Sequence, residues 1–141
     1  DYVDKNEKIF FVLGDNFFEN NPINNFDIEK FHEGACIFTT EVSNPKEYGV
    51  AEMNIEGKVL SIEEKPTDPK SNSAVVGLYM FDNSVFNKID TLEPSKRGEY
   101  EIVDLCNIFI LENKCLNLNI NGWWIDAGTP ERIIELEKKL S

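Results

Sequence analysis

Short apolar runs, each closed by turn-forming residues and interleaved with stretches of helical spacing, constrain this chain more than any other feature. Lys8–Leu13 reads KIFFVL and ends at Gly14-Asp15-Asn16. A run of that length without alternation is expected to be a strand buried on both faces. Ala35–Val42 (ACIFTTEV) is rich in β-formers and stops before Asn44-Pro45. Ala74–Phe81 (AVVGLYMF) is expected to be another buried strand. Gly49–Asn54 and Val59–Glu64 flank Ile55-Glu56-Gly57-Lys58, the pattern of a β-hairpin. Leu116–Ile120 and Trp123–Ile125, separated by an Asn121-Gly122 turn, add two strands.

The helical signals fall between these runs. One or two turns fit Asp27–His32. Asp82 is placed to cap a helix over Asn83–Ile89. Ile102, Val103, Cys106, Phe109 and Ile110 share the face of a longer helix within Glu99–Asn113. Thr129-Pro130-Glu131 is a strong helix start, with an N-cap, a proline at the first position and an acid in the first turn. The expected class is α/β: a mixed, mainly parallel sheet with helices on both faces, plus the hairpin. A central strand needs neighbours on both sides, and the candidates do not supply them all for Lys8–Leu13. The chain is therefore expected to be a single partial domain over residues 1–141.

Charge narrows the partners. Against 14 basic residues stand 26 acidic ones, a net charge of −12. Nucleic acid and anionic membrane are poor partners for such a surface, whereas a small anion needs only one or two local cations or a metal ion. No apolar run approaches the roughly 20 residues of a membrane span. Asp1 opens the chain with no visible secretory leader, and Cys36, Cys106 and Cys115 form no CxxC pair. Reduced thiols in a cytoplasm are the expectation. A single histidine, His32, argues against a His-rich zinc site or a Ser-His-Asp triad.

Two acids stand at strand ends. Asp15 follows the first strand, and Asp126 lies between Trp123-Trp124-Ile125 and the helix start at Thr129. Ligands of open α/β sheets bind outside the carboxyl ends of strands. Meeting there, the two acids would make a sparse oxygen site of the kind magnesium uses with substrate phosphates. Each is also an ordinary turn acid. Glu64 is a good acceptor for sugar hydroxyls and Lys65 a point charge for phosphate. Strand alternation would send them to opposite faces unless the strand ends or bulges before Pro66. Gly49 suits a close backbone approach, and Trp124 and Tyr79 suit a sugar ring, though core packing is the default for both aromatics. Cys106 fits a core position better than a nucleophile.

The ordered set Val12–Asn16, Glu47–Val50, Ile62–Pro66, Pro69–Asn72, Ala74–Tyr79, Arg97–Ile102 and Trp124–Thr129 closely resembles the sugar-1-phosphate nucleotidyltransferase family. The resemblance spans nearly the whole chain and implies an incomplete Rossmann-like fold. It implies that Asp15 and Asp126 bind magnesium, and that Gly49, Glu64, Val75 and Tyr79 line a glucose pocket. It implies further that Lys65 contacts the sugar's phosphate and that Trp124 stands beside the sugar. Arg97–Ile102 matches a signature of structural role.

The substrates implied are glucose 1-phosphate and a nucleoside triphosphate, dTTP favoured, giving dTDP-glucose and pyrophosphate by one in-line displacement. Lys65, Asp15 and Asp126 would carry that chemistry. The complete enzyme would be a cytoplasmic homo-oligomer. The family's amino-terminal Gly-rich loop has no counterpart in Asp1–Glu7. The chain thus resembles the sugar-side half of a catalytic domain, inactive by itself. UTP or CTP as the nucleotide, or a non-catalytic phosphosugar-binding module, are the alternative readings.

Overall fold

The computed structural model describes residues 4, 7–24 and 26–141. Most of Asp1–Glu7, where a Gly-rich loop was sought, lies outside the described residues. In chain order the strands are β1 (Ile9–Val12), β2 (Asn16–Phe18), β3 (Ala35–Glu41), β4 (Gly49–Met53), β5 (Val59–Glu64) and β6 (Ser73–Phe81). Helices α1 (Val85–Ile89) and α2 (Ile102–Leu111) follow, then β7 (Cys115–Asn119), β8 (Trp124–Asp126) and α3 (Pro130–Leu140). Short 3₁₀ turns occupy Ile28–Lys30 and Pro45–Glu47.

The sheet runs β5-β4-β6-β3-β7, with β1 added to β6, while β2 and β8 form a separate ribbon. All nine residues of β6 are buried, as its unbroken apolar run requires. The α/β class and the mixed sheet stand, but the strands are not mainly parallel. Among the described residues only β3–β7 is a parallel ladder; β1–β6, β3–β6, β4–β5 and β4–β6 are antiparallel. An apolar run reports burial of both faces and carries no information about the direction of the neighbour.

Alternation along β6 divides the core in two. Val75, Tyr79 and Phe81 pack with Val103, Cys106 and Phe109 of α2. Val76, Leu78 and Met80 pack on the other face with Phe31, Phe38 and Ile120, joined by Phe18, Ile23 and Phe26. So α1 and α2 cover one face, and irregular chain around residues 18–31 covers the other. The expected helices on both faces are corrected accordingly: aromatic side chains from loops seal the second face.

The outermost strand β5 is closed by a side chain. Asn107 of α2 accepts from Ile62 N at 2.9 Å and donates to Ile62 O at 2.8 Å, satisfying the free backbone edge. β1 has no such cover. Among the described residues it pairs with β6 alone, and Val12 is 55% exposed. The strand expected to be buried on both faces is therefore a half-exposed edge, with Phe10, Phe11 and Val12 all exposed. Asp82 also departs from expectation. It holds Ser84 N and Gly34 N in a turn, and makes no cap bond to α1.

β1 and β4 lie along the same edge of β6. β1 stands opposite Leu78–Phe81 and β4 opposite Ala74. Between them, among the described residues, no strand occupies that edge, and one bond runs from Leu13 N to Gly77 O. A cleft opens at this gap.

Candidate functional site

Leu13, Val75, Gly77 and Tyr79 line a cleft of about 900 Å³ at the gap, with α2 on one side and the β8–α3 junction on the other. Asp15, Gly49, Glu64, Lys65, Val75, Tyr79, Trp124 and Asp126 all border this one cleft. The residues singled out in the sequence are thus brought together, although they come from five separate segments.

The acidic end is built by the β2–β8 ribbon. Asn16 is in register with Asp126, and Ala127 N donates to Asp15 O at 2.7 Å. This pairing carries Asp15 and Asp126 to the same edge. A Cβ placed on Gly128 would lie 3.1 Å from Asp126 Oδ1 and 3.5 Å from Asp15 Oδ2, so the two oxygens are no farther apart than those distances combined. The space both oxygens face is empty of side chain because residue 128 is glycine. Two carboxylates around such a space fit a hard divalent cation that takes its remaining ligands from water and substrate phosphates. Among the described residues there is no metal-competent group of three or more His, Cys, Asp or Glu.

The opposite end is built by the β4–β5 hairpin. Gly49 and Glu64 are register partners, and a Cβ on Gly49 would come within 3.1 Å of Glu64 Oε2 and 3.3 Å of Val103 Cγ2. Gly49 thus leaves room for the Glu64 carboxylate. Burial raises the pKa of Glu64, Lys65 lowers it and Glu101 raises it. β5 ends at Glu64, and Lys65 takes a left-handed backbone conformation with φ 45°. A left-handed lysine before Pro66 is strained. It breaks the alternation that would have sent Glu64 and Lys65 to opposite faces. Both now border the cleft, and Lys65 N is held by Tyr48 O at 3.0 Å.

Three residues that the sequence reading did not single out join the two ends. Asn16 Nδ2 donates to Asp15 Oδ1 at 2.9 Å, while Asn16 Oδ1 accepts from Gly77 N at 2.7 Å and from Trp124 Nε1 at 2.6 Å. Tyr48 packs on Trp124 with ring centroids 5.2 Å apart. Arg132 lies over the Tyr48 ring, 4.7 Å from its centroid. Asn16 and Tyr48 sit inside runs already notable for their neighbours. Arg132 carries no local signal. Arg97 is more than a helix-start residue, since its Nη1 lies 4.0 Å from Glu64 Oε1. Cys106 is fully buried in α2, and burial pushes its thiol well above the ordinary range, so it is core.

Asp15, Glu47, Glu64, Glu101, Asp126 and Glu131 line the cleft against the cations Lys46, Lys65 and Arg132. Arg132 is engaged by Asp126 and Glu47. Lys65 makes no ion pair among the described residues. Lys46 likewise makes none, so an anion entering this acidic cleft meets Lys65 and Lys46 as its unpaired cations among the described residues.

The mixed sheet and the strand-end acids that border its cleft define an α/β protein, and comparison with known proteins gives its family. The chain belongs to the nucleotidyl transferase family, whose model matches residues 1–141. A glucose-1-phosphate thymidylyltransferase of Neisseria meningitidis is 41% identical over 135 residues, covering 92% of this chain and 46% of the relative. The bifunctional protein GlmU of Methanocaldococcus jannaschii is 36% identical over 141 residues, covering 99% and 33%. A crystal structure of a Bacillus anthracis protein provisionally assigned as a glucose-1-phosphate thymidylyltransferase, in complex with sucrose, superposes with a TM-score of 0.85. It is 36% identical, and the match covers 95% of this chain and 55% of that one. UDP-glucose pyrophosphorylase in complex with UDP-glucose shares the fold at a TM-score of 0.79 and 21% identity, covering 96% and 56%. The chain spans less than half the length of these curated relatives. No helix among the described residues is long and apolar enough to cross a membrane.

Proposed function

We propose that this segment is the sugar-1-phosphate side of a magnesium-dependent nucleotidyltransferase that makes dTDP-glucose and pyrophosphate from glucose 1-phosphate and dTTP. One observation carries the reading: the Asp15–Asp126 pair and the Glu64–Lys65 corner border a single cleft. Tyr79 and Val75 form its apolar floor, and Trp124 stands at its side. A hexose offers hydroxyls to Glu64 and an apolar face to the aromatics, and its phosphate falls to Lys65. Lys65 would orient the attacking phosphate oxygen towards the α-phosphorus of the triphosphate. No covalent intermediate on the protein is needed, so positioning and charge neutralisation account for the rate. Asp15 and Asp126 would hold the metal, which neutralises phosphate charge when bound. The residues that read the base and cradle the triphosphate are assigned to sequence outside this segment. The free thiols suit a reducing cytoplasm.

The test is calorimetric titration of the chain with glucose 1-phosphate in the presence of magnesium. Binding that is lost in Lys65→Ala and Glu64→Ala supports the reading, and binding indifferent to both sinks it. In the longer protein, pyrophosphate release with dTTP, UTP and CTP in turn decides the nucleotide.

A further inference from the structure

Arg132 stands where a cation is least welcome. It occupies the third position of α3, one residue beyond Pro130-Glu131, at the end where the helix dipole favours negative charge. Its side chain is nonetheless only 18% exposed. Nη2 donates to Glu47 Oε2, and Nη1 donates to Asp126 Oδ2 at 3.0 Å. The guanidinium carbon lies over the Tyr48 ring, 4.7 Å from its centroid. Asp126 is therefore divided between two partners. Oδ2 belongs to Arg132, while Oδ1, held by Gly128 N at 3.1 Å, faces the side-chain-free space it shares with Asp15.

The geometry points to Arg132 as the resident counter-ion of Asp126, balancing the two aspartates when no divalent cation is bound and weakening their hold on that cation. Two carboxylates this close repel one another, and a fixed guanidinium offsets the repulsion. The same guanidinium repels a divalent cation seated on Oδ1, a few ångströms away and partly shielded from water. Arg132 also joins Asp126 to Glu47 and Tyr48 at the rim of the sugar side, so cation and rim compete for one side chain. This inference rests on the metal reading of Asp15 and Asp126, and its test separates the two.

The probe is Mn²⁺, titrated into the full chain and followed by electron paramagnetic resonance of the free ion, with thermal melts beside it. Arg132→Gln removes the charge and keeps a hydrogen-bonding side chain. It is expected to bind Mn²⁺ about tenfold tighter, equivalent to about 1.4 kcal/mol. It should melt lower than the parent without metal and recover more of its melting temperature when Mn²⁺ is added. Arg132→Lys keeps the charge on a compact ammonium that cannot hold Asp126 and Glu47 together, so its Mn²⁺ affinity should fall between those of the parent and Arg132→Gln. Asp126→Asn should abolish the binding. Arg132→Gln binding that is unchanged or weaker, with the Asp126-dependent site intact in the parent, overturns the inference and leaves the metal reading standing. Absence of Asp126-dependent binding in parent and variant alike overturns both. Should Arg132→Gln fail to fold, Glu47→Gln takes its place. Freeing the guanidinium from Glu47 directs its whole charge at Asp126, so Mn²⁺ must bind more weakly; unchanged or tighter binding counts against the counter-ion.

Discussion

The Trp124 indole N–H donates to Asn16 Oδ1 at 2.6 Å, across 108 residues of sequence, and the same oxygen receives Gly77 N at 2.7 Å. Asn16 thereby fixes three things at once: the orientation of Trp124, the edge of β6 where the cleft opens, and Asp15 through its amide. Gly77 is the complement of this arrangement, because a Cβ there would come within 2.6 Å of the Asn16 amide group.

This relationship predicts a non-additive pair of substitutions. Asn16→Ala leaves two partly buried N–H groups without acceptors and should cost about 2 kcal/mol or more of unfolding free energy. Gly77→Ala alone displaces Asn16 and should cost a similar amount, about 1–3 kcal/mol. In the double variant the added methyl meets no amide. Its cost in the Asn16→Ala background should therefore be markedly smaller than in the parent. Urea denaturation of the four proteins measures the cycle, and strictly additive losses would remove Asn16 from the role assigned to it.

Lys65 yields a prediction that separates stability from binding. Its φ of 45° is costly for a lysine and free for a glycine. Lys65→Gly should unfold at the same or a slightly higher urea concentration than Lys65→Ala, which keeps the strain. Both variants lose the ammonium and should bind glucose 1-phosphate about tenfold or more weakly. A Lys65→Gly protein that is less stable than Lys65→Ala would mean that φ 45° stores no strain.

Glu64 sets a pH dependence. Burial, as the leading cause, raises its folded pKa above the value it has in the unfolded chain. The folded state then holds the proton more tightly. The protonated form's stability is complete below the ordinary carboxylate range and is lost as pH rises through the raised folded pKa. Glu64→Gln should remove this fall, so parent and variant should diverge in stability as pH climbs through the mildly acidic range. Ligand binding runs the other way, since the ionised carboxylate is the stronger acceptor for sugar hydroxyls. Acidification through that range should weaken glucose 1-phosphate binding by the parent more than by Glu64→Gln. Parallel stability curves for the two proteins would contradict the assigned shift.

How far these features could be read from the residues depends on whether their causes are local. β3 was expected at Ala35–Val42 and lies at Ala35–Glu41; α3 was expected from Thr129-Pro130-Glu131, and Thr129 Oγ1 does accept from Arg132 N at 3.4 Å. Caps, prolines and apolar runs act within a few residues, so they leave a trace in the sequence. β2 was missed, since three residues of half-exposed Asn-Phe-Phe have no pattern of their own and are a strand only because β8 pairs with them. The expected mainly parallel sheet and the expected burial of β1 fail for the same reason: strand direction and strand exposure both depend on which distant segment lies alongside. The cleft divides similarly. Asp15, Glu64, Lys65 and Asp126 stand at strand ends that the pattern marks, whereas Arg132 gains its meaning from Glu47, Tyr48 and Asp126, which no spacing connects.

Gly128 supplies the sharpest test of the space between the two aspartates. Its backbone does not lie in the left-handed region, and the residue is exposed. Alanine at 128 should therefore change the unfolding free energy by no more than about 1 kcal/mol. The new methyl, however, would stand 3.1 Å from Asp126 Oδ1 and 3.5 Å from Asp15 Oδ2, inside the volume that a divalent cation would need. Metal–oxygen distances of about 2.1 Å leave no place for a methyl group between the two ligands. Gly128→Ala should thus bind Mn²⁺ at least about tenfold more weakly while melting within a few degrees of the parent without metal. Because this substitution leaves both carboxylates and Arg132 in place, it tests the enclosed space independently of the charges around it. Parent-like Mn²⁺ affinity in a folded Gly128→Ala protein would show that the cation, if bound, lies elsewhere.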